Sequence, residues 1–278
     1  KDVCYSYWLD EWASILSIVK ENYINDIKIV SRAHGFDLYD YRHSKGYIFP
    51  RHLQLKNVEK VIAVSANGAS YLAKKYPSQK DKMHYSRLGV SCDNNKINSE
   101  KKKELITLVS CSGVIKLKRI HLIAKILMCS ENQIKWVHFG DGPLLREVKE
   151  ICKNLPDNVT VELSGNVTNS EIKKYYATNF VDWFINVSQF EGIPVSMMEA
   201  ISYGIPIIAT DVGGVNEIVN EATGILIPKD FEPSEVARMI EKESFDSTKR
   251  NDVQTFWEEH YNAEKNFTDF SHQLLNLS

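Results

Sequence analysis

Residues 181–217 constrain the fold most, because they predict a strand, a loop, a helix and a second strand in close succession. The β-branched and aromatic run 181–187 is typical of a buried strand. After a polar loop, a helix is predicted over 194–203, with Gly204 as its C-terminal cap and the apolar strand 205–210 beyond it. Such a βαβ unit predicts an α/β fold that binds ligands beyond the carboxyl ends of parallel strands.

Two glutamates mark the predicted site. Glu191 lies in the loop, and Glu199 lies eight residues later in the helix. Gly192 lets the backbone approach a ligand closely, and the helix N-terminus offers N–H groups and a positive dipole end to phosphate oxygens. Carboxylates do not bind an anion, but they accept hydrogen bonds from sugar hydroxyls. The pattern therefore predicts a site for a nucleotide diphosphate sugar.

A family resemblance rests on the same residues. Glu191, seven intervening residues and Glu199, followed by residues 204–210 and 213–217, resemble the donor-binding core of glycosyltransferase family 4. These are retaining transferases of the GT-B architecture. The resemblance implies an α/β fold with two Rossmann-like domains facing a cleft, the first one incomplete. Members usually begin with an additional stretch, so the chain is expected to be an N-terminally truncated fragment.

The resemblance also implies domain boundaries. Residues 1–95 would be the remainder of an N-terminal acceptor-side domain, and residues 96–255 would be a donor-binding domain. Residues 256–278 would form a helix that crosses back to the first domain. The polar residues 91–103, with the Lys101-Lys102-Lys103 run, are predicted to be a linker.

By the same resemblance, several residues would bind the donor. Glu199 would hold the ribose hydroxyls and Glu191 the hydroxyls of the donor sugar. Lys118 and the amides of Gly192 and Ile193 would offset the charge of the leaving group. Further donor-binding residues would be Gly113, Arg119, Gly140, Gly165, Asn166, Val167, Pro194 and Val195.

Two of the candidate site residues, Gly113 and His34, leave more than one interpretation open. Gly113 stands where the family has an arginine, so that Arg119 or Lys116 is left to compensate, and this departure puts the strength of diphosphate binding in question. His34 follows a predicted strand and is similar to the acceptor-side histidine of the family, although a structural loop histidine is the alternative. The predicted catalytic residues are His34, Glu191 and Lys118.

Local patterns add two expectations. Near the start, an amphipathic helix is predicted to carry one apolar side, formed by Trp8, Leu9, Trp12, Ile15, Leu16 and Val19. Ser170 is predicted to cap the helix that begins at Glu171.

Composition narrows the class of protein. A chain of 278 residues with 43% hydrophobic residues can form about two domains, and a net charge of −2 argues against nucleic acid as a partner. Five cysteines without metal spacing favour a reducing compartment. No apolar run reaches the roughly 18 residues that span a bilayer, so a cytoplasmic protein is expected, with peripheral contact at the inner face of a membrane left open.

The predicted function is transfer of a hexose-type sugar, with retention, to a hydroxyl of a glycan or lipid-linked glycan, in surface polysaccharide biosynthesis. The co-substrate would be a UDP- or GDP-sugar. The sequence contains no Asp-x-Asp pair that could bind a metal, and no metal or other cofactor is expected. One alternative is another GT-B activity, such as a nucleotide-sugar epimerase or a pyridoxal-dependent phosphorylase. Another is a noncatalytic sugar-nucleotide-binding module. Sequence leaves the base, the sugar, the acceptor, the linkage and the oligomeric state open.

Overall fold

The computed structural model describes residues 3–92 and 104–276, which form two compact units with parallel β-sheets. One unit comprises Lys1–Gly89 with Tyr261–Ser278, and the other comprises Val90–His260. The predicted α/β class is confirmed. The predicted boundary at 95/96 and linker residues 93–103, with Lys101-Lys102-Lys103, lie outside the described residues. The second unit ends at His260, and the chain from Tyr261 onward belongs to the first unit. Sequence analysis predicted this boundary after residue 255.

The first unit has a parallel sheet with the strand order β1-β2-β3-β4. Its elements are β1 (Val3–Ser6), α1 (Glu11–Asn22), β2 (Lys28–Ala33), α2 (Arg51–Asn57), β3 (Lys60–Ala63), α3 (Ala66–Lys75) and β4 (Met83–Tyr85). The Ser65 hydroxyl caps α3 by accepting a hydrogen bond from the Gly68 N–H at 3.0 Å.

The predicted apolar side of the first helix is wrong. Trp12 and Ile15 are 67% and 47% exposed, whereas Ala13 and Ser17 are fully buried. The helix also begins later than predicted: the Asp10 carboxylate accepts a hydrogen bond from the Trp12 N–H at 3.0 Å and caps α1 at Glu11. Trp8 and Leu9 therefore precede the helix, and α1 turns its small residues toward the rest of the unit.

The second unit alternates strands and helices. Its elements are β5 (Leu105–Cys111), α4 (Ile120–Leu127), β6 (Gln133–Phe139), α5 (Leu145–Cys152), β7 (Val159–Gly165), α6 (Asn169–Thr178), β8 (Trp183–Asn186), α7 (Val195–Ser202), β9 (Ile207–Thr210), β10 (Gly224–Ile227), α8 (Pro233–Lys242) and α9 (Ser247–His260). The last helix, α10 (Ala263–Leu275), belongs to the first unit, where Phe270 packs with Val30 and Ile62. Within the described ranges, no helix has the length and apolar character needed to cross a lipid bilayer.

The sheet of the second unit has the strand order β10-β9-β8-β5-β6-β7, and all pairs are parallel. The chain adds β6 and β7 on one side of β5 before it crosses to add β8 on the other side. Leu108, Trp136, Trp183 and Ile208 lie in the core, each at most 1% exposed. The gap between β5 and β8 is thus the topological switch point, where such sheets bind ligands beyond the carboxyl ends of their strands.

Candidate functional site

Two loops leave the sheet at the switch point. Residues 112–119 follow β5 and residues 187–194 follow β8. Lys118 ends a short 3-10 turn in the first loop, and Glu191 lies in the second. The Gln189 N–H donates to the Leu117 carbonyl at 2.8 Å and holds the loops together. Two residues that sequence analysis placed in one site are therefore neighbours.

Lys118 and Glu191 form an ion pair. The Lys118 Nζ lies 2.5 Å from the Glu191 Oε1, and Glu191 is only 7% exposed. The same oxygen accepts hydrogen bonds from Asn186 Nδ2 at 3.1 Å and Ser188 Oγ at 2.6 Å. Because two neutral donors also fix this carboxylate, the Lys118 ammonium can turn to another anion while Glu191 keeps its position.

Two glycines shape the backbone around Glu191. A Cβ at Gly213 would lie 1.8 Å from the Glu191 carbonyl oxygen, and a Cβ at Gly214 would lie 2.9 Å from the Gly192 carbonyl oxygen. Gly213 also has a φ of +60°, which favours glycine. The segment after β9 therefore needs these glycines to pack against the Glu191 loop.

The N-terminal end of α7 lies just beyond Glu191. Pro194, the predicted first helical position, is instead the N-cap with an extended backbone, and the helix runs from Val195 to Ser202. A Cβ at Gly192 would meet no atom within 4 Å, so the backbone there borders open space. The predicted donor-binding residues Gly192, Ile193, Pro194 and Val195 thus share one edge with Glu191. The arrangement offers a helix N-terminus to an anion beside a lysine.

Glu199 lies on α7 and is 8% exposed. Its Oε1 accepts a hydrogen bond from Asn169 Nδ2 at 2.5 Å. Burial raises the pKa of Glu199, while the Asn169 hydrogen bond and the positive charge of Lys173 oppose that rise. A largely buried carboxylate with few donors around it is suited to accept hydrogen bonds from neutral hydroxyls.

Sequence analysis did not single out Asn169 or Lys173. The predicted cap at Ser170 is wrong: the Thr168 hydroxyl accepts from the Glu171 N–H at 3.3 Å, and the Glu171 carboxylate accepts from the Thr168 N–H at 2.7 Å. This capping box starts α6 at Asn169, ahead of the predicted start at Glu171, and directs Asn169 to Glu199. The Thr-x-x-Glu spacing was the signal that could have located Asn169.

The glycine turns after β6 and β7 pack against the first loop. Gly140 has a φ of +139°, and a Cβ there would lie 1.9 Å from the Ser112 carbonyl oxygen. The Gly140 N–H donates to the Gly165 carbonyl at 2.8 Å, and a Cβ at Gly165 would border open space. Asn166 and Val167 follow at the same edge of the sheet. The structure thus brings the predicted Gly140, Gly165, Asn166 and Val167 to adjacent loops.

His138 lies beneath these loops and was not predicted. It is fully buried, and burial lowers its pKa to about 4, so that the imidazole is neutral at pH 7. Its Nδ1 is 2.8 Å from Ser110 Oγ, which also accepts a hydrogen bond from Trp136 Nε1 at 2.9 Å. This buried chain of polar groups supports the strand ends from which the loops depart.

His34 is the predicted site residue that belongs to the first unit. It follows β2, is 9% exposed, and has its Nδ1 3.8 Å from Asp37 Oδ2. The His34 ring contacts the rings of Tyr7 and Trp8, with centroid distances of 4.7 and 4.1 Å. His34 follows the carboxyl end of β2, as predicted, and its role toward a substrate stays a prediction.

The family described as glycosyl transferases group 1 matches residues 93–256, which is more than half of the chain. The chain belongs to this family. The protein WcaL of Salmonella typhimurium, named for colanic acid biosynthesis, is 25% identical over 90% of this chain and 62% of its own length. The sulfoquinovosyl transferase SQD2 of Arabidopsis thaliana is 29% identical over 52% of this chain and 27% of its own length. The chain thus spans less than two thirds of these relatives.

Solved structures confirm the fold of this family member. The protein HepE from Anabaena, in complex with UDP, has a TM-score of 0.80 and 16% identity, covering 99% of this chain and 79% of its own. Sucrose-phosphate synthase from Thermosynechococcus elongatus has a TM-score of 0.79 over 99% of this chain and 74% of its own, at 17% identity. At this identity the likeness concerns the fold, and it confirms the predicted GT-B architecture.

Arg119 has a structural role in the first loop. Its Nε donates to the Val187 carbonyl at 2.7 Å, and an Nη donates to the Lys229 carbonyl at 3.0 Å. The residue has a φ of +50°, an unusual value for a residue with a side chain. These bonds tie the first loop to the exits of β8 and β10. The guanidinium is thus engaged by backbone carbonyls, while Lys116 is exposed to solvent.

Gly113→Arg is expected to tighten UDP binding by about tenfold or more, because an added guanidinium can form a charge-assisted bond to a phosphate. The site has room: a Cβ at Gly113 would meet only the Asp141 carbonyl oxygen, at 3.8 Å, and its φ lies outside the left-handed region. Isothermal calorimetry with UDP measures the gain, and Gly113→Ala is the uncharged control. Equal affinities of the two variants would contradict the prediction.

Proposed function

We propose that this chain binds a nucleotide diphosphate sugar and that the whole protein transfers a hexose-type sugar from it, with retention, to a hydroxyl of a glycan or lipid-linked glycan. The observation that carries the proposal is the Lys118–Glu191 pair at the switch point, with Glu199 on the helix that follows. The names of similar proteins support it: WcaL is named for colanic acid biosynthesis, and HepE has been solved with UDP and with UDP-glucose. We further propose a cytoplasmic reaction in surface polysaccharide synthesis.

Lys118 would hold the diphosphate. In the unliganded protein its ammonium is paired with Glu191, so a phosphate oxygen takes the place of that carboxylate when the donor binds. The N-terminus of α7 and the amides of Gly192 and Ile193 add fixed partial positive charge. Together they offset the negative charge that develops on the leaving nucleoside diphosphate as its bond to the sugar breaks.

Glu191 would accept hydrogen bonds from the donor sugar. Asn186 and Ser188 keep its carboxylate at the edge of the sheet after Lys118 has turned to the phosphates. Sugar hydroxyls then replace the lysine as donors to the Glu191 oxygens. The pairing with Lys118 in the unliganded state prevents an uncompensated buried charge.

Glu199 would hold the ribose. Two adjacent ribose hydroxyls can donate to its carboxylate, whose Oε1 is already oriented by Asn169. The backbone at Asn166 and Val167, which follow β7, would hold the base. His34 would act toward the acceptor from the first unit. UDP- and GDP-sugars are the proposed donors.

A thermal-shift panel tests the proposal. UDP-, GDP-, ADP- and dTDP-sugars are added singly at millimolar concentration, and the melting temperature of the protein is recorded. A ligand at about 100 times its Kd adds roughly 2.7 kcal/mol of stability, so one nucleotide class should raise Tm by several degrees. No shift with any of the four classes would contradict donor binding.

Donor binding is expected to survive excess chelator, because Lys118 and the helix N-terminus supply the positive charge that a divalent ion supplies elsewhere. UDP affinity is measured by calorimetry with and without excess EDTA, which strips divalent ions from proteins. The two affinities should be equal. Magnesium added back serves as the control. A loss of affinity in chelator that magnesium restores would overturn the proposed role of Lys118.

A further inference from the structure

One face of helix α6 meets helix α7 and the residue that follows it. Asn169 Nδ2 donates to Glu199 Oε1 at 2.5 Å, and one turn later the positive charge of Lys173 acts on the same carboxylate. Two turns from Asn169, the buried Tyr176 ring packs against the ring of Tyr203, with 5.7 Å between their centroids. Positions 169, 173 and 176 have the spacing of a single helix face. The packing of α6 therefore fixes where the Asn169 amide stands relative to Glu199.

The two glutamates of the donor site are held differently. Glu191 Oε1 accepts three side-chain hydrogen bonds. Over the described ranges 3–92 and 104–276, the Glu199 carboxylate accepts one, and Asn169 provides it. Glu199 keeps 8% of its surface exposed, which leaves one side of the carboxylate open to a ligand. Without the Asn169 amide this carboxylate could turn about its terminal torsion, which has broad energy minima.

The backbone that carries Asn169 is fixed, although Asn169 itself is exposed to solvent. Thr168 and Glu171 form the capping box that starts the helix, and the buried Ile172 anchors its first turn. The Asn169 side chain takes no part in that cap. Exposed side chains outside such features contribute little to stability. The amide is thus placed precisely beside Glu199 and is not needed for folding.

We infer that Asn169 is a positioning residue that makes the site selective for ribose over deoxyribose, because it holds the Glu199 carboxylate in the plane that two neighbouring hydroxyls require. The 2′- and 3′-hydroxyls of a ribose can donate to one carboxylate together. A fixed carboxylate is left with an unmatched acceptor when one hydroxyl is missing, and such sites reject the analogue that lacks it. The ligand class is a ribonucleoside diphosphate, and the inference rests on the proposed donor binding.

Two substitutions separate this role from a structural one. Asn169→Ala removes the donor. Asn169→Asp keeps the shape of the side chain but places a second carboxylate against Glu199. An acidic residue is favourable in the first turn of a helix, so Asn169→Asp should not destabilise α6. Ser170→Ala is the matched control, because Ser170 lies in the same exposed turn and its Oγ is 2.9 Å from the Thr168 hydroxyl.

Calorimetric titration of UDP and of 2′-deoxy-UDP into each protein tests the inference, with circular dichroism to show that each variant is folded. The unaltered protein and Ser170→Ala should prefer UDP about tenfold or more, which corresponds to one charge-assisted hydrogen bond. Asn169→Ala should reduce that preference to about threefold or less. Asn169→Asp should weaken UDP about tenfold near neutral pH and should regain affinity as the pH is lowered to about 5.5.

The pH dependence of Asn169→Asp has a defined sign. Two adjacent carboxyl groups do not readily ionise together, so one takes up a proton as the pH falls, and the protonated carboxyl supplies a donor again. The other described titratable groups that act on Glu199 are Lys173 and Tyr176 on α6 and Cys111 at the end of β5. They are the same in the unaltered protein. The ratio of the UDP affinities of the variant and the unaltered protein at each pH therefore isolates the new pair of carboxyls.

The outcomes distinguish this inference from the donor function. The same preference for UDP in Asn169→Ala as in Ser170→Ala would overturn the positioning role and leave donor binding intact. So would a UDP affinity of Asn169→Asp that is not weakened, or whose ratio to that of the unaltered protein does not change with pH. Equal binding of UDP and 2′-deoxy-UDP by the unaltered protein would also refute the role of Asn169 alone. No UDP binding by the unaltered protein would refute the donor function and this inference together.

Discussion

Replacing Lys118 by alanine is expected to weaken UDP binding about tenfold to a hundredfold while leaving uridine binding unchanged. The loss corresponds to one or two charge-assisted bonds to phosphate, about 1.5–3 kcal/mol. Uridine lacks the diphosphate and so does not use the ammonium. Asn186 and Ser188 continue to donate to Glu191 in the variant, which keeps the buried carboxylate partnered and the loop in place.

Calorimetric titration of UDP and uridine into the Lys118→Ala protein checks this result. Lys116→Ala is the matched control, because Lys116 lies in the same turn and is exposed to solvent. It should change UDP affinity by less than about twofold, as a solvated charge contributes little. Equal weakening of UDP and uridine would show that the substitution disturbs the loop and that Lys118 does not hold the diphosphate.

Arg250→Ala is expected to destabilise the protein by about 3–5 kcal/mol and to lower Tm by roughly 10 °C. Arg250 is 3% exposed, and its guanidinium donates to the carbonyls of Val181, Gly204 and Phe245, at 2.5, 3.4 and 3.2 Å. It also lies 4.2 Å from the Phe180 ring centroid. Truncation would leave buried carbonyls without donors and a cavity beside the ring.

These contacts tie α9 to the start of β8 and to the turn after α7. The matched control is Arg238→Ala, since Arg238 lies on α8 with one exposed hydrogen bond to the Ser234 carbonyl. That variant should melt within about 2 °C of the unaltered protein. Thermal unfolding followed by circular dichroism measures both. A Tm of Arg250→Ala equal to that of Arg238→Ala would show that Arg250 does not hold these elements together.

The donor-side core was predictable because its determinants are local. The apolar run before Ser188, the Gly192 turn and Pro194 fix a strand, a loop and a helix in consecutive residues. The carboxyl-end rule then places Glu191 beside the loop after β5. Only Lys118 required the family resemblance to be assigned to the site, and it lies within hydrogen-bond distance of Glu191.

The rest of the site could not be predicted, because it depends on contacts between residues that are far apart in the sequence. Asn169 reaches Glu199 across 30 positions, and Arg119 reaches Val187 across 68. No periodicity in the sequence encodes such pairs. The face of α1 was misassigned because Trp12 and Ile15 follow helical spacing, whereas the buried face of the helix is formed by the small residues Ala13, Ser14 and Ser17.

The two glutamates are proposed to bind different parts of the donor: Glu199 binds the ribose of the nucleotide, and Glu191 binds the hydroxyls of the sugar. Calorimetric titration of UDP and of the intact UDP-sugar into Glu199→Ala and Glu191→Ala tests it, with circular dichroism to show that each variant is folded. Glu199→Ala should weaken UDP about tenfold or more, by the loss of one or two charge-assisted hydrogen bonds. Glu191→Ala should leave UDP affinity unchanged or tighter, because Lys118 loses its competing carboxylate, and should weaken only the sugar nucleotide. Equal losses of UDP affinity in both variants, or no loss in either, would contradict this division of roles.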